Sequence, residues 1–119
     1  MTDKTKYEEK TVTSYQQFYP FYLSQHTKPL TKLFHFIGTS IGFVILSKFF
    51  SEIYQDKSMD NANYKLLALI PLCGYFMAWV SHFFIEKNKP ATFKYPFWSL
   101  RGDLHMWFEI LCGKHRILP

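Results

Sequence analysis

Three of the five histidines in this sequence flank long apolar segments, and they are its clearest candidates for chemistry. His26 and His35 lie on either side of the start of one segment, and His82 lies near the end of the next. Neutral imidazole is a common ligand for iron and zinc, and ionisable side chains within a membrane usually face one another or a functional cavity. If the three rings meet, they predict a metal site; otherwise each is a hydrogen-bonded packing residue.

Two apolar segments would have to position these rings. Residues 33–47 and 66–85 carry no formal charge, and the second would be about 30 Å long as a helix, which matches the core of a bilayer. Pro71 lies inside the second segment, where it would break a strand but only kink a membrane helix. The sequence therefore predicts an all-α fold, a membrane hairpin of two transmembrane helices. The alternative is a pair of buried helices in a soluble protein.

A hairpin would bring the histidines to one depth. His35 and His82 lie roughly 7 and 9 Å from the middles of their segments, on the same side. On one uninterrupted helix His26 and His35 would lie on opposite faces, because nine steps of about 100° separate them. Thr27 can cap the first helix and Pro29 fits its first turn, so the preceding chain can fold back. This turn would bring His26 to the face that carries His35.

The distribution of charge predicts how the hairpin is oriented. Lys and Arg are dense before the first segment and after the second, whereas the connection balances three acidic residues with three lysines. By the positive-inside rule both termini face the cytoplasm, in a bacterial inner membrane or the endoplasmic reticulum. The net charge of +5 is thereby explained. No nucleic-acid-binding motif accompanies it, so no nucleic-acid partner is expected.

The segments outside the hairpin are expected to be helical in part. Ser14, with Gln17 three residues later, opens a short helix whose aromatic residues suit the membrane interface. Asp103 is expected to cap a second short amphipathic helix, of about nine residues, that ends at Gly113. Residues 1–13 form a polar tail, which leaves 14–119 as a single membrane-embedded helical domain.

Four further residues could carry chemistry but fit no reactive pattern. Cys73 and Cys112 belong to no CxxC pair or zinc-ligand spacing, and both are expected to be buried. His105 would lie on the polar face of the last helix and His115 in a basic tail, so both are expected to be solvated. No dinucleotide, nucleotide or serine-hydrolase motif occurs in the chain.

Four strings occur in a fixed order along roughly residues 15–113: FYPFYLSQH, HFIGT, WVSHFFIEKNKPATFKYPFWSLRGD and MW. In these strings the chain resembles the 2-hydroxy fatty acid dioxygenase family, small membrane proteins long listed as a domain of unknown function. The fungal member of that family acts in the endoplasmic reticulum in phytosphingosine breakdown. The resemblance implies an iron(II)-dependent α-oxidation, in which a 2-hydroxy fatty acid and O2 give a fatty acid shortened by one carbon.

The resemblance also implies which residues form the site. By position, the family's histidines, as ligands of Fe2+, fall on His26, His35 and His82. The EKxxPA part of its motif falls on Glu86, Lys87 and Pro90. The chain departs from the family at Thr27, Lys28 and Thr31, where asparagines are usual.

The chemistry of such a site suggests further roles. Glu86 would orient a ligand histidine by accepting its second N–H, or take a proton. The substrate carboxylate would lie near Lys28, Lys87 or Lys89. Two alternatives stay open: a non-catalytic membrane scaffold or lipid-binding protein, and a b-type haem carrier with two axial histidines. A hairpin this small could also form a homodimer.

Overall fold

A computed structural model describes residues 12–56, 63–90 and 94–117 of the 119. Four helices follow one another: α1 (Tyr15–Ser24), α2 (Pro29–Asp56), α3 (Lys65–Val80) and α4 (Pro96–Leu111). A π-helical turn, Ser81–Glu86, continues α3 without a break. No strand occurs in the described residues, and the all-α prediction is confirmed. The predicted polar tail, 1–13, lies almost entirely outside them.

Helices α2 and α3 pack along each other as the predicted hairpin. Helix α2, and α3 together with its π turn (Lys65–Glu86), are each long and apolar enough to cross a membrane, with a mean hydropathy of 1.6. Large apolar side chains that are more than half exposed stand along both arms, among them Val44, Phe50, Leu72, Phe76 and Phe84. A core helix of a soluble protein would bury such side chains, so their exposure favours contact with lipid.

The first arm is longer than its uncharged segment. Helix α2 has 28 residues and ends at Asp56, so the first half of the predicted connection is helical. Residues 57–62 of that connection lie outside the described residues. The arms approach closely at Gly38, where an added Cβ would lie 3.1 Å from the Cβ of Met77 and 3.6 Å from the Cα of Gly74. Small residues permit this contact.

The last helix begins earlier than predicted. Helix α4 has 16 residues and starts at Pro96, whereas the sequence indicated about nine residues capped by Asp103. Proline suits the first helical position because its missing N–H would have no partner within the helix. Asp103 therefore lies in the middle of α4, and its carboxylate does not cap the helix but lies near His35.

The amino-terminal helix packs against α4. As predicted, Ser14 caps α1, and its hydroxyl accepts a hydrogen bond from the backbone N–H of Gln17. The shared core consists of Val12, Phe18, Phe21, Tyr22, Met106 and Ile110. The expectation that both cysteines are buried was wrong, since Cys73 is half-buried and Cys112 is exposed at the end of α4.

Candidate metal centre

The three histidines meet at one point between α1, α2 and the π turn. The Nε2 atom of His26 lies 3.0 Å from Nε2 of His35 and 3.0 Å from Nε2 of His82. The third side of this triangle, between His35 and His82, measures 3.3 Å. All three side chains are buried. The entry turn and the two arms thus bring the rings together, as the hairpin argument predicted.

Two of the rings are held from behind by carbonyl-type oxygens. Nδ1 of His26 lies 2.6 Å from the backbone oxygen of Tyr22, and Nδ1 of His82 lies 2.7 Å from the side-chain oxygen of Asn88. The Asn88 amide is fixed because its nitrogen donates to both the backbone and the side-chain oxygen of Gln25. These oxygens only accept hydrogen bonds, so Nδ1 carries the proton of each neutral ring. Each Nε2 is left bare.

A carboxylate lies behind the third ring. Oδ1 of Asp103 is 3.4 Å from Nδ1 of His35, and it also accepts a hydrogen bond from the hydroxyl of Tyr22. A carboxylate behind an imidazole favours the proton on the facing nitrogen, as at many metal sites. The Nε2 atom of His35 is therefore bare as well, and all three lone pairs point into the triangle.

The triangle fits a metal ion. Bare nitrogens at this spacing repel one another unless a cation lies among them. Bonds of about 2.1 Å at angles of roughly 90° to 110° place two ligand nitrogens about 3.0 to 3.4 Å apart, and the observed spacings are 3.0 and 3.3 Å. Three ligands on one side would leave other coordination positions open for small molecules.

The protonation state of His26 also suits a ligand. Burial lowers the pKa of His26 well below its usual range, and the neighbouring rings of His35 and His82 lower it further. The imidazole is therefore neutral at pH 7, which is the form that binds a metal.

Glu86 fastens the turn that carries His26. Its Oε1 accepts hydrogen bonds from the backbone N–H (3.0 Å) and the hydroxyl (2.7 Å) of Thr27. Its Oε2 accepts from the N–H of Lys28 at 2.8 Å and the hydroxyl of Thr31 at 2.7 Å. A carboxylate at this position satisfies free N–H groups and complements the positive end of the helix dipole. Glu86 thus caps α2, the role predicted for Thr27.

These contacts place the Glu86 carboxylate on the entry turn, and its expected action on a ring stays a prediction. The oxygens of Tyr22 and Asn88 accept the N–H groups of His26 and His82, and an oxygen of Asp103 lies 3.4 Å from Nδ1 of His35. The hydrogen bonds of Glu86 go to the entry turn. Its donors belong to Thr27, Lys28 and Thr31, the three positions at which the chain departs from the family's asparagines. Each of the three positions therefore still donates a hydrogen bond to Glu86, although none of them is an asparagine.

The π turn explains how Asn88 reaches His82. Lys87 ends the turn in the left-handed conformation, with φ 61°, and is the only non-glycine residue with positive φ among those described. The N–H of Asn88 then donates to the backbone oxygen of His82 at 2.9 Å. The chain folds back over the ring and places the Asn88 side chain against it. Such π turns are often found at functional sites, but sequence reasoning missed both the turn and Asn88.

The lysines expected to hold a carboxylate lie at the surface. Lys28 donates from Nζ to the backbone oxygen of Ile85 at 2.9 Å, and Lys87 and Lys89 are exposed. Lys32 was absent from that set, but together with His26 it lines an opening of about 310 Å³.

The other two histidines lie outside the triangle. The side chain of His115 is only 13% exposed, with Nε2 3.0 Å from Glu109 and Nδ1 3.3 Å from Nζ of Lys32. The expectation of a solvated His115 was therefore wrong. His105 is 40% exposed, and its ring stacks on Tyr19 with centroids 3.8 Å apart.

A groove leads away from the centre between α2, α3 and α4. Its volume is about 380 Å³, and His35 and Asp103 line its polar end. Apart from Thr39 and Tyr75, the remaining lining residues are apolar or glycine. The centre is thus joined to an apolar space of the size typical for small-molecule sites.

The haem alternative does not fit this geometry. Two axial Fe–N bonds in line would place their nitrogens about 4 Å apart with a macrocycle between them. The Nε2 atoms of His35 and His82 are 3.3 Å apart, and the Nε2 of His26 lies 3.0 Å from each. The arrangement leaves no room for a porphyrin.

Comparison with known proteins identifies a family. No curated protein and no solved structure gave a significant match to the chain. The model of one family, described as 2-hydroxy-palmitic acid dioxygenase Mpo1-like, matches residues 12–115, a range that includes all four helices and the three histidines. The chain therefore belongs to the 2-hydroxy-palmitic acid dioxygenase Mpo1-like family.

Proposed function

We propose that this protein is a membrane-bound iron(II)-dependent dioxygenase that shortens 2-hydroxy fatty acids by one carbon. The observation that carries the proposal is the triangle of bare Nε2 atoms in a chain of this family. His26, His35 and His82 would hold the Fe2+. When bound, the ion would supply the redox chemistry with O2 and a positive charge for the head of the hydroxy acid.

The reaction balances without an external reductant. The bond between C1 and C2 breaks, C2 is oxidised to the new carboxyl group, and C1 leaves as CO2. One O2 accepts the four electrons that the substrate loses, and one water is formed. The proposal therefore requires only the hydroxy acid and O2 as substrates.

The residues of this chain would position the reactants. Asn88, Asp103 and the backbone of Tyr22 fix the three rings, so that their lone pairs converge before the ion binds. Glu86 holds the turn of His26, and we propose a positioning role for it in place of a direct catalytic one.

The substrate carboxylate needs a cation near the rings. Lys28, Lys87 and Lys89 remain candidates from the sequence. Lys32 is better placed, because it lines the opening beside His26, and a Lys32→Met variant is expected to raise the KM for the hydroxy acid more than Lys89→Met does. Equal KM values in the two variants would remove Lys32 from this role.

The exposed apolar surface supports a membrane setting. We propose that both arms cross a bilayer, with both termini in the cytoplasm, in a bacterial inner membrane or the endoplasmic reticulum. Helix α4 exposes an apolar row along one face: Phe97, Leu100, Leu104, Phe108 and Leu111. This row suits the membrane interface. The aromatic residues of α1, predicted to lie there, instead pack largely against α4, with Phe18, Phe21 and Tyr22 buried. A homodimer stays a prediction.

The direct test combines metal analysis of anaerobically purified protein with oxygen uptake on 2-hydroxypalmitate. We expect one iron per chain and one O2 consumed for each shortened acid. His26→Ala, His35→Ala and His82→Ala should each lose iron and turnover, whereas the His105→Ala control keeps both. Full iron and activity in any of the three would remove that residue from the ligand set. Metal-free wild-type protein without oxygen uptake would favour the scaffold or lipid-binding alternative.

A further inference from the structure

We infer that the groove between α2, α3 and α4 binds the acyl chain of the substrate, and that Gly74 keeps the path from the histidines into the groove open. The inference rests on the proposed function. The inference places the hydrocarbon tail of the 2-hydroxy fatty acid in the groove, whereas the metal centre would bind only its carboxylate and hydroxyl groups.

The order of polar and apolar residues along the groove matches such a molecule. His35 and Asp103 line one end, and the lining continues along α2 past Gly42 to Leu46. At 1.5 Å per residue, His35 and Leu46 are about 16 Å apart along the helix axis. A head at the histidines and a flexible hydrocarbon tail would therefore meet suitable surfaces in sequence. No charged residue lines the apolar part of the groove to oppose the tail.

The groove also opens where a lipid-derived molecule could enter. Leu100 and Leu104 belong to its lining and are 52% and 42% exposed. Both lie in the exposed apolar row of α4, which we place at the membrane interface. An acyl chain could thus slide in sideways from the bilayer without leaving an apolar environment.

Gly74 differs from the other two glycines that line the groove. An added Cβ at Gly38 would lie 3.1 Å from Met77, and one at Gly42 would lie 3.4 Å from Ile70. An added Cβ at Gly74 would meet no atom within 4 Å. The space beside Gly74 is therefore open to an added Cβ, so a side chain placed there would begin in the groove without contact to a protein atom.

A Gly74→Leu variant tests this assignment. Leucine should keep the fold, because it is the better helix former and its Cβ meets no protein atom within 4 Å, and it should keep the iron. Gly74 lies opposite Gly38, which is three residues from His35, so the tails of both 2-hydroxypalmitate and 2-hydroxyoctanoate must pass it, and turnover of both acids should fall by about tenfold or more. The matched control is Ala68→Leu on the exposed face of α3 outside the groove, which should leave both rates unchanged.

A binding experiment gives a readout independent of turnover. A 2-hydroxy acid with a photoreactive diazirine in mid-chain should label the groove near Leu46 or Ile70, and Gly74→Leu should abolish that labelling. Labelling confined to outward residues such as Val44 or Phe76 would mean that the groove holds no substrate chain, and would overturn the inference.

The outcomes separate the inference from the proposed function. If wild-type protein consumes no O2 with either acid, the proposed function fails. If wild type turns over both acids and Gly74→Leu turns over both at the wild-type rate, only the groove assignment fails. Loss of turnover in Gly74→Leu with labelling near Leu46 or Ile70 retained would also overturn it, because Gly74 would then act on the head of the substrate.

Discussion

The metal centre and the groove are neighbours that share His35 and Asp103, yet they are built in opposite ways. At the centre, position comes from hydrogen bonds, since every ring has an acceptor behind it and Glu86 takes four bonds from the entry turn. In the groove, shape comes from missing side chains at three glycines. The centre should therefore be sensitive to a lost partner, and the groove to added volume.

Among the residues that are not proposed metal ligands, Glu86 should show the largest loss of stability and iron when its carboxylate is removed. Glu86→Ala leaves the N–H groups of Thr27 and Lys28 and the hydroxyl of Thr31 without their acceptor. We expect a loss of about 3 kcal/mol in the free energy of unfolding, together with loss of iron, measured by chemical denaturation in detergent and by metal analysis. Glu86→Gln retains one acceptor oxygen and should lose less. Equal stability of Glu86→Ala and wild type would contradict the capping role.

Loss of an acceptor behind one ring should be milder. Asn88→Ala leaves the Nδ1 proton of His82 without its bond at 2.7 Å, so the ring can rotate or change tautomer. The affinity for Fe2+ should fall by about 10- to 100-fold, as measured by competition with a chelator. Lys89→Ala, one residue further on, serves as the control and should bind normally. An unchanged affinity in Asn88→Ala would show that the acceptor does not orient the ring.

Acid should destabilise the fold through the buried His26. The folded pKa of His26 is lowered, chiefly by burial, so below the unfolded pKa of about 6.5 the unfolded chain binds more protons than the folded chain. Stability is therefore lost as pH falls through this value, by up to about 1.4 kcal/mol per pH unit from this group. Unfolding of the metal-free protein at pH 7.5 and 5.5 measures the loss. Equal stability at both values would contradict a buried neutral His26.

The smallest expected effects are the changes in stability when one methyl group is added, either at Gly38 or at Gly74. Gly38→Ala would place its Cβ 3.1 Å from Met77, so the arms must shift and we expect a cost of about 1 kcal/mol. Gly74→Ala meets open space and should be neutral or stabilising by a few tenths of a kcal/mol, since alanine favours the helix. Thermal unfolding of both variants decides this. Equal destabilisation would mean that the space beside Gly74 is not open.

The sequence predicted the parts of the site that depend on helix periodicity and depth. Two uncharged segments indicated the arms, and rises of 1.5 Å per residue placed His35 and His82 at one level. The chain fold-back before Pro29 then brought in His26. These relations are local to the chain, and the structure retains them.

The missed features depend on contacts that no local pattern contains. Asn88 reaches His82 only because Lys87 adopts a left-handed conformation after a π turn. Asp103 reaches His35 only because α4 begins at Pro96 and crosses α2. Glu86 was placed on the face of His82, but its four donors on the entry turn could be identified only from the packed structure. The only signal in the sequence was that Asn88, Asp103 and Glu86 are polar residues close to apolar segments.

The central claim is that three imidazoles hold one iron ion, and X-ray absorption at the iron edge tests it most directly. For protein loaded anaerobically with one Fe2+ per chain, we predict three imidazole nitrogens at about 2.1 Å, and fewer in a His82→Ala sample that still retains iron. A wild-type spectrum with one imidazole or none, or failure to bind stoichiometric iron, would contradict the account.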